Sequence, residues 1–239
     1  MTMKISKSWI AMMFFNVRGN IIFLLTFCLI ITSHATAQNT KSSAQSTQRL
    51  ISTLNKLLQQ QNQQLLADRL RIDRIAQHYL NNDDISEDDF NWLKTITHDY
   101  QLAPQQRGDK AYFNALLHRV DVIPASLAIA QALLETDRSH TSSAQKANNP
   151  FGLLCQRPCQ QQLMRFPTQQ AAITYYIHLL NTAKAYEPLR KLRAQARKQQ
   201  QKLRGEQLAN GLIHYSLQGR AYSDKLQQTI KTHHLTKLD

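Results

Sequence analysis

The sequence predicts a mainly α-helical protein with one globular domain. Glycine and proline each occur only 6 times among 239 residues, too rarely for the many turns of a β-sandwich or barrel. Hydrophobic residues make up 42% of the chain, which is enough to bury one core. Over long stretches apolar residues recur at intervals of three, four and seven, the period of amphipathic helices.

Residues 1–37 have the three parts of an export signal. The first part is a basic n-region that contains Lys4, Lys7 and Arg18 and no acidic residue. An apolar run at 21–31 and a small-x-small exit at 35–37 follow. Because the run is short of the roughly 20 residues that span a bilayer, we expect a cleaved signal and a periplasmic or envelope location. The alternative is an uncleaved anchor that also uses residues 9–15.

Two segments are expected between the signal and the main domain. Residues 38–48 are polar and predict a tether. From Arg49 leucine and isoleucine recur at helical spacing, although a Gln-rich gap at 59–64 weakens the pattern. Fewer than four clean heptads favours a docked amphipathic helix over a coiled-coil stalk. Polar residues 81–84 break this helix, so the tether and helix occupy 38–84 and the main domain 85–235.

The main domain is predicted to be a series of helices. Ser86 and Asp89 resemble a capping box, which starts the first helix. Pro124 stands where a first-turn proline belongs and opens a helix at 125–134 that is apolar nearly all round, hence central. Further helices are expected at 110–120, 167–182, 184–203, 205–215 and 219–231. Residues 153–166 are the one candidate for a small β-hairpin.

Cys155 and Cys159 are the two cysteines outside the export signal. In an oxidising compartment this spacing, with Pro158 favouring a turn, predicts a disulfide. A metal half-site is the alternative, but the sequence has no second Cys or His pair at metal-ligand spacing that would complete the site. Zinc-protease, Walker and dinucleotide motifs are also missing from the sequence. We therefore expect neither a metal nor a cofactor.

The chain is basic, with 29 Lys and Arg against 16 Asp and Glu. Much of the excess lies in residues 184–204, where Glu187 is the only acidic residue. This segment predicts contact with an anionic polymer or a membrane surface, and a solvated helix face is the alternative. Nucleic acid is disfavoured as a partner because the protein is predicted to be exported.

Glu135 is the candidate catalytic residue. It ends the apolar helix, where desolvation and the partial negative charge of the helix C-terminus both disfavour a carboxylate. Both effects raise the pKa, and a carboxylic acid that stays protonated near neutral pH can protonate a leaving group. The alternative is a buried structural glutamate that Arg138 or an amide satisfies.

Ordered blocks of the sequence resemble a known family. The run from Val122 to Glu135, the block 148–152 and Cys155 are similar to the glucosaminidase domain of the Bax-like proteins. These are peptidoglycan-hydrolase relatives in family 73 of the glycoside hydrolases, with a mannosyl-glycoprotein endo-β-N-acetylglucosaminidase-like domain. The similarity continues at Phe166, Tyr176, residues 180–182, Tyr186, Arg190, Arg193, Tyr215, Ser216, Gly219 and Tyr222. The resemblance implies a lysozyme-like helical fold, cleavage of β-1,4 bonds beside N-acetylglucosamine, and Glu135 as the general acid.

The resemblance also suggests further site residues. Tyr176 matches a tyrosine that the family places near the substrate, where it could orient the N-acetyl group in place of a second carboxylate. Asn148, Asn149 and Phe151 are candidates for contacts with the sugar. Each of the four also has a structural alternative, as a core aromatic or a turn amide. A second carboxylate from Asp109, Asp121 or Asp224 would require tertiary contacts.

The segment after Glu135 departs from the family pattern. The family usually reads Ser-Gly-Trp-Gly-Thr-Ser there, and this chain has Thr-Asp-Arg-Ser-His-Thr at 136–141. The first prediction is an exported glycosidase that cleaves peptidoglycan or a related N-acetylglucosamine-containing glycan. A catalytically silent glycan- or partner-binding module, and a lytic transglycosylase-like enzyme, are the alternatives.

Overall fold

The computed structural model describes residues 20–102, 109–138, 146–155 and 162–239. Within these ranges the backbone forms eight α-helices: α1 (Asn20–Leu80), α2 (Glu87–Asp99), α3 (Lys110–Arg119), α4 (Ala125–Arg138), α5 (Gln169–Thr182), α6 (Glu187–Lys198), α7 (Gly205–Leu208) and α8 (Arg220–Thr232). Short 3-10 helices lie at Lys184–Tyr186, Ala209–Gly211 and Leu235–Leu238. The predicted mainly α class is confirmed.

The chain divides into two compact units, Met1–Leu50 and Ile51–Asp239. In the first unit, residues 38–48 of the expected tether are part of helix α1. The side chains of 43–49 are exposed or half-exposed. Residues 1–19 of the predicted export signal lie outside the described residues. Within the described part of the chain, no helix combines the length and the apolarity needed to cross a membrane.

In the second unit, α1 packs onto the core from Ile51 onward. Leu54, Leu58, Ile72 and Ile75 are fully buried, which agrees with a docked amphipathic helix. The Gln-rich gap contains Asn62, whose Nδ2 donates to the carbonyl of Ile123 at 2.8 Å and whose Oδ1 accepts from the Ile123 amide at 3.3 Å. A pair of polar contacts therefore replaces apolar packing where the hydrophobic stripe weakens.

Helix α4 lies at the centre of the second unit, as its apolar sequence predicts. Every residue from Ser126 to Ala132 is fully buried, and α4 contacts α7, α8 and the last 3-10 helix. Asp239 caps its N-terminus, because Oδ1 accepts from the Ser126 amide at 2.9 Å and Oδ2 from the Ser126 hydroxyl at 2.8 Å. The rigid core holds α4, and Glu135 lies in its last turn.

The predicted cap at Ser86 is observed, and the helices expected at 184–203 and 205–215 are shorter than predicted. The Ser86 hydroxyl accepts from the Asp89 amide at 3.1 Å and starts α2. The helix expected at 184–203 covers only Glu187–Lys198, because Pro188 favours a helix start there and Gln200 has a φ of 53°. The helix expected at 205–215 is α7 followed by a 3-10 turn.

The expected hairpin is reduced to one antiparallel bridge between Leu154 and Leu163 in the part of the chain that the structure describes. The Cys155 amide donates to the carbonyl of Gln162 at 2.8 Å, and the Met164 amide donates to that of Leu153 at 2.8 Å. This bridge fixes the path of the chain at 153–155, beside the end of α4.

Part of the basic segment 184–204 faces inward. Arg193 is 1% exposed and donates to the carbonyls of Asp121 and Val122 and to Oδ1 of Asn181. Arg190 is 2% exposed and its Nη2 donates to Glu187 at 2.8 Å. These two arginines make buried contacts within the protein. Only the other basic residues of the segment are therefore accessible to a binding partner.

Candidate active site

Glu135 lines a pocket of about 280 Å³ at the end of α4. The other walls come from residues 151–154, from Leu179 and Tyr186, and from Tyr215 and Ser216. The lining is apolar and aromatic around one carboxylic acid, the usual composition of a ligand pocket with a single functional group. The residue predicted to be catalytic is therefore accessible from a pocket.

The two carboxylate oxygens of Glu135 have different neighbours. The Tyr222 hydroxyl, from α8, donates a hydrogen bond to Oε1 at 3.1 Å. Oε2 lies against Gly152, where an added Cβ would be 3.3 Å away. Gly152 has a φ of 60°, a left-handed conformation that favours glycine. One oxygen is thus bonded to the core helix α8, and the other lies beside a residue of the pocket wall.

Gln131 connects Glu135 to a second tyrosine. It lies one turn earlier on α4 and is fully buried. Its Nε2 donates to the Tyr222 hydroxyl at 3.4 Å, and its Oε1 accepts from the Tyr176 hydroxyl. Four side chains from three helices are therefore joined in one chain of hydrogen bonds that ends on Glu135.

Tyr176 lies behind the pocket wall and not in it. Its side chain is fully buried, and its ring stacks on Phe151 with centroids 3.9 Å apart and planes at 7°. Burial raises the pKa of the Tyr176 hydroxyl well above its usual value, and Tyr222 and Tyr186 add to the rise. The hydroxyl therefore stays protonated and donates to Gln131. A direct role at the N-acetyl group stays a prediction.

Phe151, Asn148 and Asn149 shape the loop beside Glu135. Phe151 lines the pocket and covers Tyr176. Asn149 is fully buried, and its Nδ2 donates to the carbonyls of Leu153 and Met164, both at 2.9 Å. The side-chain Nδ2 of Asn148 donates to the Phe166 carbonyl at 3.0 Å. Both asparagines hold backbone in this structure, and their contact with a sugar stays a prediction.

Tyr215 and Tyr186 also line the pocket. Tyr215 stacks on Tyr222 with centroids 5.5 Å apart, and its hydroxyl donates to the Phe151 carbonyl at 3.0 Å. Burial is the largest cause that raises the pKa of Tyr215 well above its usual value, followed by Tyr222, Tyr176 and Glu135. Burial also raises the pKa of Tyr186. The wall around the acid is therefore aromatic and uncharged near neutral pH.

Tyr215, Tyr222, Gln131 and Gly152 were not among the predicted site residues. The sequence features that could have pointed to these residues as part of the site were weak. Gln131 is four residues before Glu135, hence on the same helix face. All four residues belong to the blocks that carry the family resemblance.

Glu135 is the one carboxylate among the described residues that line this pocket. Asp109 instead caps α3, where it accepts from the Tyr112 amide at 2.6 Å. Asp121 pairs with arginines, and Asp224 is exposed on α8. The tertiary contacts that could have brought one of these three to the pocket are not formed. The side chains of Asp137 and Arg138 lie outside the described residues.

Cys155 is disulfide-bonded. Its predicted partner, Cys159, lies outside the described residues, so the pairing stays a prediction. In the described ranges, no group of three or more His, Cys, Asp or Glu side chains is arranged to hold a metal ion.

Comparisons with known proteins place the chain in a family. The family model described as mannosyl-glycoprotein endo-beta-N-acetylglucosaminidase matches residues 110–235. Protein bax of Escherichia coli (strain K12) is 31% identical over 141 residues, which are 56% of this chain and 52% of that protein. The chain thus spans about half the length of this curated relative, and no solved structure matches it. Because the family model covers more than half of the chain and includes α4 with Glu135, this protein belongs to the glucosaminidase family.

Proposed function

We propose that this protein is an exported endo-β-N-acetylglucosaminidase that hydrolyses β-1,4 bonds next to N-acetylglucosamine in peptidoglycan. Its family supports a glycoside-hydrolase-like or glycan-binding role. The observation that carries the finer proposal is the carboxyl group of Glu135, which lies on the wall of an aromatic pocket and is anchored by Tyr222. This is the arrangement that a general acid requires.

In the proposed reaction a glycan strand lies across the pocket, with its sugar faces against the aromatic wall. Glu135 protonates the glycosidic oxygen, the bond to the anomeric carbon breaks, and an oxocarbenium-like sugar forms. The Glu135 carboxylate then takes a proton from the water that attacks this carbon. Since no other described carboxylate lines the pocket, we propose that the substrate's own N-acetyl group stabilises the positive charge.

Digestion of purified peptidoglycan by the full-length protein and by Glu135→Gln tests this proposal, with mass spectrometry of the products. We expect new reducing-end N-acetylglucosamine from the wild type and none above background from the variant. If neither protein releases products although both are folded and bind glycan, the chain is a silent glycan-binding module.

A lytic transglycosylase is the second candidate, favoured by the single carboxylate among the described lining residues. In that reaction a hydroxyl of the substrate attacks in place of water. The same spectra separate the two reactions, since a transglycosylase leaves anhydro-muramic ends that lack one water.

We also propose export, on the basis of residues 1–37. Cell fractionation with N-terminal sequencing tests it: a periplasmic protein that starts after Ala37 supports a cleaved signal, and an intact N-terminus in the membrane fraction supports an anchor. A protein found only in the cytoplasm would contradict both.

A further inference from the structure

We propose that Tyr176, Gln131 and Tyr222 form a directional hydrogen-bond relay that positions Glu135 and stabilises its carboxylate form. The catalytic meaning of this relay rests on the proposed role of Glu135 as the acid. The relay itself rests on geometry, so it can be tested separately.

All three hydrogen bonds point the same way. The Tyr176 hydroxyl donates to Oε1 of Gln131, Nε2 of Gln131 donates to the Tyr222 hydroxyl, and that hydroxyl donates to Oε1 of Glu135. In such a chain each bond polarises the next and makes the last donor stronger. The last donor acts on a carboxylate, and a donor favours the charged form of the group that accepts it.

The relay is held rigidly. Gln131, Tyr176 and Tyr222 are each fully buried. Phe151 stacks on Tyr176 and Tyr215 stacks on Tyr222, both with planes at 7°, so each tyrosine ring is fixed by a parallel neighbour. Water cannot easily replace a lost hydrogen-bond partner at these buried positions. Rotating any of the three side chains would therefore leave a buried polar group unsatisfied, which is costly.

This arrangement assigns different tasks to the two oxygens of Glu135. Oε1 accepts from Tyr222, which places the acid proton on Oε2, beside the pocket-lining Gly152. When that proton moves to the glycosidic oxygen, negative charge grows on the carboxylate while the Tyr222 donor already points at it. Preorganised donors of this kind stabilise developing charge without reorganisation. Gln131, Tyr176 and Tyr222 are therefore positioning residues.

Among the described side chains, four tyrosines from several elements are placed around Glu135. Tyr222 comes from α8, Tyr176 from α5, Tyr186 from the 3-10 helix before α6, and Tyr215 from the segment between Gly211 and α8. Burial raises the pKa of Tyr176, Tyr186 and Tyr215, so these three are neutral over the pH range in which a carboxyl group titrates. These three tyrosines therefore do not contribute charge changes of their own when Glu135 is titrated with and without the relay.

The sequence makes a direct measurement practical, because it contains only four glutamates: Glu87, Glu135, Glu187 and Glu206. Labelling glutamate with ¹³C at the side-chain carboxyl gives four NMR signals from the full-length protein, and the loss of one in Glu135→Gln assigns it. The other three signals are internal controls in every titration. The measurement does not depend on enzyme activity.

We expect Tyr222→Phe to raise the pKa of Glu135 by about one unit, because it removes a hydrogen bond to a charged group. Gln131→Leu should raise it by a smaller amount, and Tyr176→Phe by the least. Tyr112→Phe is the matched control, since it removes a buried hydroxyl that pairs with Thr97 and does not line this pocket. An unchanged Glu135 titration in a folded Tyr222→Phe variant would overturn the proposal, whatever Gln131→Leu does.

The activity assay then links the relay to catalysis. If Glu135 is the acid, the alkaline limb of kcat/KM moves to higher pH in Tyr222→Phe while the turnover number falls. A purely structural loss would lower the rate without moving the limb. NMR shifts without wild-type activity would support the relay and contradict the proposed function, and an active wild type whose variants keep the same titration would do the reverse.

Discussion

Gly152 packs directly on the side chain of Glu135: an added Cβ would lie 3.3 Å from Oε2, 3.5 Å from Cβ and 3.6 Å from Cγ of the acid. Two separate constraints therefore act at this position. A side chain would press on the proposed acid, and the φ of 60° is itself unfavourable for any residue with a Cβ.

We predict that Gly152→Ala lowers glycosidase turnover by about tenfold or more, because a small displacement of a catalytic group is costly. The free energy of unfolding should fall by about 1–2 kcal/mol from the backbone strain. Gly219→Ala is a matched control. Its φ is 56°, but an added Cβ there would meet only the Ile213 carbonyl at 4.0 Å. Because the ψ of Gly219 is −125°, a conformation that strongly favours glycine, the control should lose at least as much stability and keep its activity. Equal losses of activity in both variants would contradict the steric explanation.

Asp121 is the buried anion on which the arginine cluster depends. Oδ1 pairs with Arg197 at 2.8 Å, and Oδ2 pairs with Arg69 at 3.4 Å and with Arg193 at 3.6 Å. Burial by itself raises the pKa of Asp121, but the three arginines outweigh it and hold the pKa below its usual value. Burial, partly offset by Asp121, lowers the pKa of Arg193 to about 10.

We predict that Asp121→Asn destabilises the protein by about 3–5 kcal/mol at neutral pH, since it leaves buried arginines without their anion. The surface pair Glu206–Lys231, at 3.0 Å and with Glu206 partly exposed, provides the control, and Glu206→Gln should change stability by less than about 1 kcal/mol. Urea unfolding at pH 7 measures both variants.

Comparison of the wild type with Asp121→Asn also tests how stability depends on pH. The pKa of Asp121 is lower in the folded state than the roughly 3.9 of an unfolded aspartate. The contribution of Asp121 to the stability of the fold is therefore complete above the unfolded pKa, and it is lost as the pH falls through the folded pKa. The stability difference between wild type and Asp121→Asn should shrink below about pH 4. A difference that stays constant down to pH 2.5 would show that Asp121 stabilises by packing alone.

The disulfide at Cys155 is expected to join Cys159 and to hold one edge of the pocket, since Leu154 next to it is part of the lining. A closed loop of this size stabilises by about 2 kcal/mol in the chain-entropy treatment. We predict that Cys159→Ser lowers the thermal midpoint and exposes the Cys155 thiol. Non-reducing peptide mapping decides the pairing, and a Cys155 peptide linked to Cys28 or to a second molecule would contradict it.

The sequence predicted those features that depend on neighbours along the chain. The all-round apolar run of α4 marks a central helix, and Glu135, predicted to be catalytic, lines a pocket at its end. The bond between Tyr222 and Glu135 joins residues 87 positions apart, and no local pattern specifies such a contact. Arg193 was counted as part of a charged face for the same reason, since its partner Asp121 is 72 positions away.

The exposed part of the basic segment is predicted to bind anionic surfaces. Arg190 and Arg193 are excluded because they are buried, and Arg197 is excluded because it pairs with Asp121. The remaining exposed cations of the segment are Lys184, Lys191, Lys198, Lys202 and Arg204. Each basic residue near an anionic membrane surface contributes about 1 kcal/mol. We therefore expect Lys191→Glu with Lys198→Glu to weaken binding to vesicles that contain anionic lipid by about thirtyfold or more.

Lys94→Glu with Lys110→Glu is the matched control for this prediction, because it changes the net charge equally at two exposed positions on α2 and α3. The control should retain most of the binding if the segment 184–204 forms the contact. Cosedimentation at increasing salt adds a second criterion, since screening shortens the range of electrostatic attraction to about 3 Å at 1 M. Equal losses in both double variants would indicate a response to net charge alone, and binding that persists at high salt would rule out an electrostatic contact through this segment.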